Sequence, residues 1–376
     1  MNGLSLRVYP VPVPWHGIGA CIQRFGKVRH GMQQITVGII GTGWIGGVRA
    51  KVLADSPQVR ELHICEIRPD RLREVVDLVK PKSATLHHAE LLTNPDIDVV
   101  IISTTPETTH YPITKEALLA GKHVMVEKPL ARTKAEADEL IGIARERNLK
   151  LTVGYSQRFN PRMAYVRKAI LSGRIGEVVT CLCSRNITRE LGAKISGRVK
   201  LSPAAMEATH DLDWLLWCLA PRKPVKVYSQ TSGKLFAQKS PGTPDHQWIL
   251  VTLDDGTTIT VGAGWILPLG YPNYSHTWME IVGTEGALFI DDSHKEVALN
   301  TTEHGIQYPM SSMPGEEVDH VFGGAMANET LHFVDACARG RPVMVQPAEA
   351  RMVMDIYMAA DLSVERGEPI TLPRND

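Results

Sequence analysis

From residue 35 to about 155, short apolar runs alternate with longer segments whose apolar positions recur every three to four residues. The short runs suit buried strands and the longer ones amphipathic helices. Strands are expected at 35–40, 60–66, 97–103, 122–126 and 150–154, with helices at roughly 44–55, 70–80, 107–121 and 133–148. Gly121 is placed to stop the third helix and Thr133 to cap the fourth. This alternation predicts a doubly wound parallel sheet with helices on both faces.

After 155 the rhythm changes. A helix at about 160–172 leads to a strand near 175–187, and Ser202-Pro203 opens another helix with serine as N-cap and proline next. From 224 to about 300 the pattern is one of alternating strands, and Asp255-Gly256 marks a hairpin. A large open, mostly antiparallel sheet covered by helices on one face is expected. Residues 301–327 carry little pattern and read as loop, and helices at about 328–339 and 347–366 finish the chain. The expected division is a disordered N-terminal extension over 1–32, a first domain over 33–155 and an α+β domain over 156–376. The last helix is placed to pack back on the first domain.

Composition narrows the function classes. At 376 residues the chain is long for a single core. Lys+Arg and Asp+Glu number 41 each, so no net field draws it to nucleic acid or an anionic membrane. No apolar run is long enough to span a bilayer. Six scattered cysteines lack metal-type spacing, Cys181 and Cys183 share one strand face, and no metal site is expected. A reduced, cytoplasmic setting fits. Residues 1–31 contain no acid and four Lys/Arg, and Met32, just ahead of the first strand, reads as the natural start.

The chemistry begins at the first strand. Gly41-Thr42-Gly43-Trp44-Ile45-Gly46 follows it directly and opens the first helix. Glycines at this spacing allow a tight turn, close approach of a pyrophosphate and close helix packing, with helix N–H groups facing the anion. Glu66 closes the second strand twenty residues after Gly46, where a carboxylate accepts hydrogen bonds from both hydroxyls of an adenosine ribose. That favours NAD over NADP; Arg68, two residues on, keeps NADP open.

Three further constellations lie at strand ends or on a helix. Thr104, Thr105 and Pro106 follow the strand at 97–103, with His110 just beyond, and line the expected cofactor cleft. The next strand ends in Glu127-Lys128-Pro129, which sets Glu127 and Lys128 at the same edge as expected cofactor contacts, where the lysine can also orient a hydroxyl and join in proton transfer. The helix after Ser202-Pro203 carries Met206, His210 and Asp213 or Trp214 on one face at 3.6 residues per turn, with Glu207 flanking.

These motifs, with Ala117-Leu-Leu-Ala-Gly-Lys-His-Val-Met-Val-Glu-Lys-Pro-Leu130, Gly154-Tyr-Ser-Gln-Arg-Phe-Asn-Pro161 and Thr209-His-Asp-Leu-Asp213, stand in an order that resembles one family. It is the glucose–fructose oxidoreductase / inositol dehydrogenase (Gfo/Idh/MocA) group, and the likeness runs from 33 to 376. The resemblance implies an NAD(P)-binding Rossmann domain and an α+β domain whose sheet forms a homodimer or homotetramer. It implies that Lys128 and His210 are catalytic and that Arg158 faces substrate or nicotinamide. Polyol and inositol dehydrogenases of the family usually carry aspartate four residues before the histidine; here that residue is Met206. Either Lys128 and His210 suffice, or Glu207 reaches in, or the substrate is of another type.

The leading expectation is hydride transfer between nicotinamide and a secondary alcohol or ketone of a sugar, polyol or related carbohydrate. Arg158, Asn186, Glu207, Tyr271 and His276 are candidate substrate contacts, and Arg185, also a candidate, with the arginines at 189 and 198 leaves an acidic or phosphorylated sugar open. Two alternatives stay open. One is an NAD-dependent sugar-modifying enzyme of glycosidase or lyase type with transient redox. The other is a non-catalytic dinucleotide-binding regulator.

Overall fold

A computed structural model describes residues 34–196, 201–236, 242–310, 313–319 and 321–373. The expectations for residues 1–32 lie outside the described residues. In the first half, β1 (Ile35–Ile40), β2 (Val59–Cys65), β3 (Ser83–Thr85), β4 (Val99–Ile102), β5 (His123–Val126) and β6 (Leu151–Val153) form a six-stranded sheet in the order β3-β2-β1-β4-β5-β6. Every pairing in it is parallel. Helices α1 (Trp44–Ala54), α2 (Pro69–Val79), α3 (His88–Thr93), α4 (His110–Leu119) and α5 (Lys134–Glu146) link the strands. Strand β3 and helix α3 were missed in the sequence because both are too short to show a period.

Alternation along the strands builds two layers. Val99 and Ile101 join Val37, Ile39, Leu53 and Val75 on one face, whereas Val100 and Ile102 join Val124, Val126, Leu118 and Leu140 on the other. Each such side chain, fully buried, contributes roughly 1.5–3 kcal/mol. Local signals end the helices where expected. Thr133 and Glu136 form a capping box at α5, and Gly121 takes a left-handed φ of 77° just past α4.

The second half follows with α6 (Pro161–Leu171), β7 (Val178–Thr188), α7 (Arg189–Ser196), a π-turn at Ala204–Ala208 and α8 (Thr209–Leu219). Strands β8 (Pro224–Ser232), β9 (His246–Leu253), β10 (Thr258–Leu267), β11 (Ser275–Gly283) and β12 (Ala287–Asp291) come next. Two small hairpins, β13 (Leu299–Thr301) with β14 (Gly305–Gln307) and β15 (Glu316–Val318) with β16 (Val321–Gly323), follow, and β14, β15 and β16 fall in the stretch read as loop. Helices α9 (Ala325–Ala338) and α10 (Pro347–Arg366) and strand β17 (Ile370–Thr371) complete the chain.

The large sheet runs β12-β11-β7-β10-β9-β8-β17, antiparallel except for the β10–β7 pair. Its inner face (Cys181, Cys183, Val227, Ile249, Val251, Val261, Met279) packs on Leu212, Leu215 and Leu216 of α8 and Val353, Ile356 and Ala360 of α10. Its other face carries exposed Trp248, Leu250, Trp278 and Phe289. The C-terminal helices return to the first half: Phe333 and Val334 of α9 join the core under α1, and Arg351 of α10 pairs with Asp138 of α5 at 2.9 Å.

Candidate active site

The glycine loop sits at the carboxyl edge of β1. Gly41 has φ of 84°, and a Cβ there would lie 2.6 Å from the Ser103 carbonyl; one on Gly46 would lie 2.0 Å from the Gly41 carbonyl. Only glycine fits either position. A Cβ on Gly43 would meet nothing within 4 Å, so the loop's middle opens onto free space. Glu66 is buried at the end of β2, where Oε2 accepts from the Thr42 N–H at 2.8 Å and Oε1 accepts from the Arg68 N–H at 3.2 Å. Trp44 and Ile67 are exposed beside it. These residues fit a dinucleotide: an open backbone cradle at a helix N-terminus, a carboxylate one strand over and apolar flanks.

Sequence reading missed Ser103, whose hydroxyl is buried without a hydrogen-bond partner against Gly46. Thr104 is half-buried, and Thr105 and Pro106 are exposed on the same rim. His110 departs from its expected cofactor contact. It is buried, with Nδ1 2.8 Å from the Pro129 carbonyl and Nε2 3.0 Å from the Thr104 carbonyl. It braces the Thr104 and Pro129 turns from beneath, and the brace ends one residue from Lys128.

Glu127 also turns away from the cleft. Its Oε1 accepts from Arg49 of α1 at 2.6 Å, and the same guanidinium reaches Glu329 at 2.7 Å and the Thr330 hydroxyl at 2.7 Å on α9. Burial pushes Glu329 up to about 7, with Arg49 opposing the shift and the neighbouring Glu127 adding to it. The folded state therefore keeps a proton that the unfolded chain has released above its ordinary value of 4.5. Stability is expected to fall as pH rises from about 4.5 to about 7, and Glu329→Gln to flatten that slope. Thermal melts across this range check it, and an unchanged slope in the variant would contradict it.

Lys128 and His210, far apart in the chain, come together at this edge. The Lys128 Nζ donates to the Met206 carbonyl at 2.6 Å, one turn before His210. His210 lies half-buried at the start of α8, edge-on to Tyr155 with ring centroids 6.2 Å apart, and Tyr155 shares a 2.7 Å hydrogen bond with Thr209. Burial, then the charges of Lys128 and Arg185, hold the imidazole well below its ordinary pKa. It is neutral at neutral pH, and its Nδ1 is buried without a partner.

The missing carboxylate has a structural answer. The Met206 side chain turns into an apolar cluster with Ile187, Ile195, Phe236 and Trp265, while its backbone oxygen takes the lysine. Glu207 does not reach in; it is buried and accepts from the Trp265 indole N–H at 3.2 Å. The π-turn alters the helical phase across 204–208, which ideal 3.6-residue spacing did not foresee.

Other expected substrate contacts are corrected. Arg158 is buried, with Nε and Nη2 donating to Asp213 at 2.8 and 2.7 Å and Nη1 to Glu349 at 2.7 Å. Its guanidinium is consumed in an ion-pair cluster joining the segment before α6 to α8 and α10. Arg185 is likewise spent on Asp211 at 2.7 and 2.8 Å. Because Arg185 points inward to α8, alternation puts Asn186 on the sheet's opposite face, paired in register with His276. Tyr271 stands edge-on to His276 at 6.5 Å. Asn186 and His276 lie across the sheet from His210, and Tyr271 meets His276 from the loop before β11.

Comparison with known proteins identifies the family. Residues 35–155 match the family described as oxidoreductase, NAD-binding Rossmann fold, and residues 163–289 match the GFO/IDH/MocA C-terminal domain. The chain belongs to the Gfo/Idh/MocA oxidoreductase family and is an NAD-binding oxidoreductase. It is 25% identical over 343 residues to the NAD(+)-dependent scyllo-inositol 2-dehydrogenase of Bacillus subtilis, covering 90% of this chain and 96% of that one. It is 27% identical over 342 residues to UDP-N-acetylglucosamine 3-dehydrogenase of Acidithiobacillus ferrooxidans, covering 89% and 98%. In fold it resembles scyllo-inositol dehydrogenase from Lactobacillus casei with bound NAD(H) and scyllo-inositol, with TM-score 0.77, 22% identity, and 90% and 99% covered. No helix among the described residues is long and apolar enough to cross a membrane.

Proposed function

We propose that this chain is a dehydrogenase or reductase acting on a secondary alcohol or ketone of a sugar, polyol or related carbohydrate. The observation that carries this reading is the meeting of Lys128 with the turn that bears His210, at the same sheet edge as the glycine loop. The relatives named for cyclitol and nucleotide-sugar dehydrogenases support the substrate class.

Bound NAD supplies the nicotinamide carbon that takes or gives the hydride. The loop from Gly41 to Gly46 holds the pyrophosphate, Glu66 the ribose, and Thr104, Thr105 and Pro106 the rim. Neutral His210 accepts the hydroxyl proton in oxidation and returns it in reduction. Lys128, anchored on the Met206 carbonyl, hydrogen-bonds the reacting oxygen and stabilises its developing charge. With Met206 in place of a carboxylate, the group that Lys128 meets on this turn is a neutral backbone carbonyl and not a second ionisable side chain, which disfavours a myo-inositol-like ring of hydroxyls.

A panel of neutral, acidic and nucleotide-linked sugars, assayed with NAD and NADP, tests the reading. NADH formation or consumption on a carbohydrate alcohol or ketone supports it. A product detected by mass without net NADH change replaces it with transient redox, and tight NAD(H) binding without any turnover replaces it with a regulator. The same proposal places a homodimer or homotetramer contact on the sheet face bearing Trp248, Leu250, Trp278 and Phe289. Sedimentation that shows only monomer would remove that contact.

A further inference from the structure

Arg71, near the start of α2, lies against the glycine loop without belonging to its motif. Its Nε donates to the Thr42 carbonyl at 2.7 Å and its Nη2 to the Gly43 carbonyl at 3.3 Å. Its Nη1 pairs with Glu74 one turn on, at 2.7 Å. All three nitrogens of the guanidinium are engaged, and its charge is already balanced. Gly47 makes room for the group, since a Cβ there would lie 2.6 Å from Nη2.

We propose that Arg71 is the positioning residue of the coenzyme loop. In a planar trans peptide the carbonyl of one residue and the N–H of the next point in opposite directions. Holding the Thr42 and Gly43 carbonyls on the α2 side therefore turns the N–H groups of Gly43 and Trp44 the other way. That is the side on which the loop is open at Gly43. Glu66 meanwhile occupies the Thr42 N–H at 2.8 Å, so the loop is clamped from two sides before any ligand arrives. Pre-orientation of this kind lowers the cost of ordering the loop around a pyrophosphate. It also leaves Arg68 as the only arginine of the pair available to a 2′-phosphate, because Arg71 is spent.

The inference rests on the NAD-binding reading, and the experiment separates the two. Calorimetric titration of NADH into the full chain is compared for wild type, Arg71→Met, Arg71→Lys and Gly47→Ala. Arg71→Met is expected to weaken binding about tenfold or more, the scale of one lost charge-assisted hydrogen bond. Arg71→Lys is expected to restore little, because one ammonium cannot bridge both carbonyls. Gly47→Ala, which keeps the arginine but displaces it, is expected to act in the same direction. With an accepted substrate, KM for NAD rises while kcat at saturating NAD stays within about twofold, as for lost uniform binding. Binding within twofold of wild type in Arg71→Met overturns the proposal. Full recovery by Arg71→Lys does so as well, since it makes the residue a plain charge on the phosphate. Wild-type protein that fails to bind NADH sinks the coenzyme reading instead.

Discussion

Replacing Lys128 with alanine is expected to lower turnover by about a hundredfold or more, the usual span for losing a donor that stabilises charge developing on the reacting oxygen. Affinity for NADH should change little, because the glycine loop and Glu66 are untouched. A second readout is independent of the rate itself. Lys128 is one of two cations that depress the His210 imidazole after burial. Removing it lets the imidazole keep its proton to higher pH, so the acid limb of kcat/KM should move upward. Near-wild-type turnover on any accepted substrate would refute the role, and an unmoved acid limb would break the proposed link to His210.

Arg49→Met is expected to cost about 3–5 kcal/mol of stability, the range for removing one partner of a buried ion pair. The variant leaves Glu127 and Glu329 facing each other where Arg49 had neutralised them. Both carboxylates then resist ionisation, so the loss should be larger at alkaline than at acidic pH. Urea denaturation at both ends of that range measures it. A midpoint equal to wild type at alkaline pH would show that the cluster carries no net stability. Because Glu127 adjoins Lys128, surviving folded protein should also lose activity.

Much of the first sheet was legible along the chain because its strands are continuous apolar runs bounded by turn residues. The capping Thr133 is a local signal that local geometry satisfies, whereas Gly41 packs on Ser103 and Glu66 takes the Thr42 N–H from the neighbouring strand end. The second sheet was legible as alternation but not in its order, since β10 pairs parallel with β7 across a long separation. Arg158 shows where one-dimensional reading stops. The family resemblance implied an arginine facing substrate or nicotinamide, yet Asp213 and Glu349 arrive from distant helices and consume it. Asn186 and His276 failed for a related reason: strand alternation decides the face, and the inward residue was Arg185 rather than Asn186.

By itself the sequence determined the glycine turn after the first strand, the strand and helix pattern of the two sheets, and the presence of a lysine at a strand end and a histidine on a helix. Those features depend on neighbours within a few residues, where turn sterics and periodicity act directly. Only the tertiary structure decided that Met206 offers its backbone oxygen to Lys128, that Glu127 serves Arg49, and that His110 braces two turns. Each of these is a polar group choosing among partners brought from elsewhere in the chain, and burial makes the choice binding because an unpaired group there is costly.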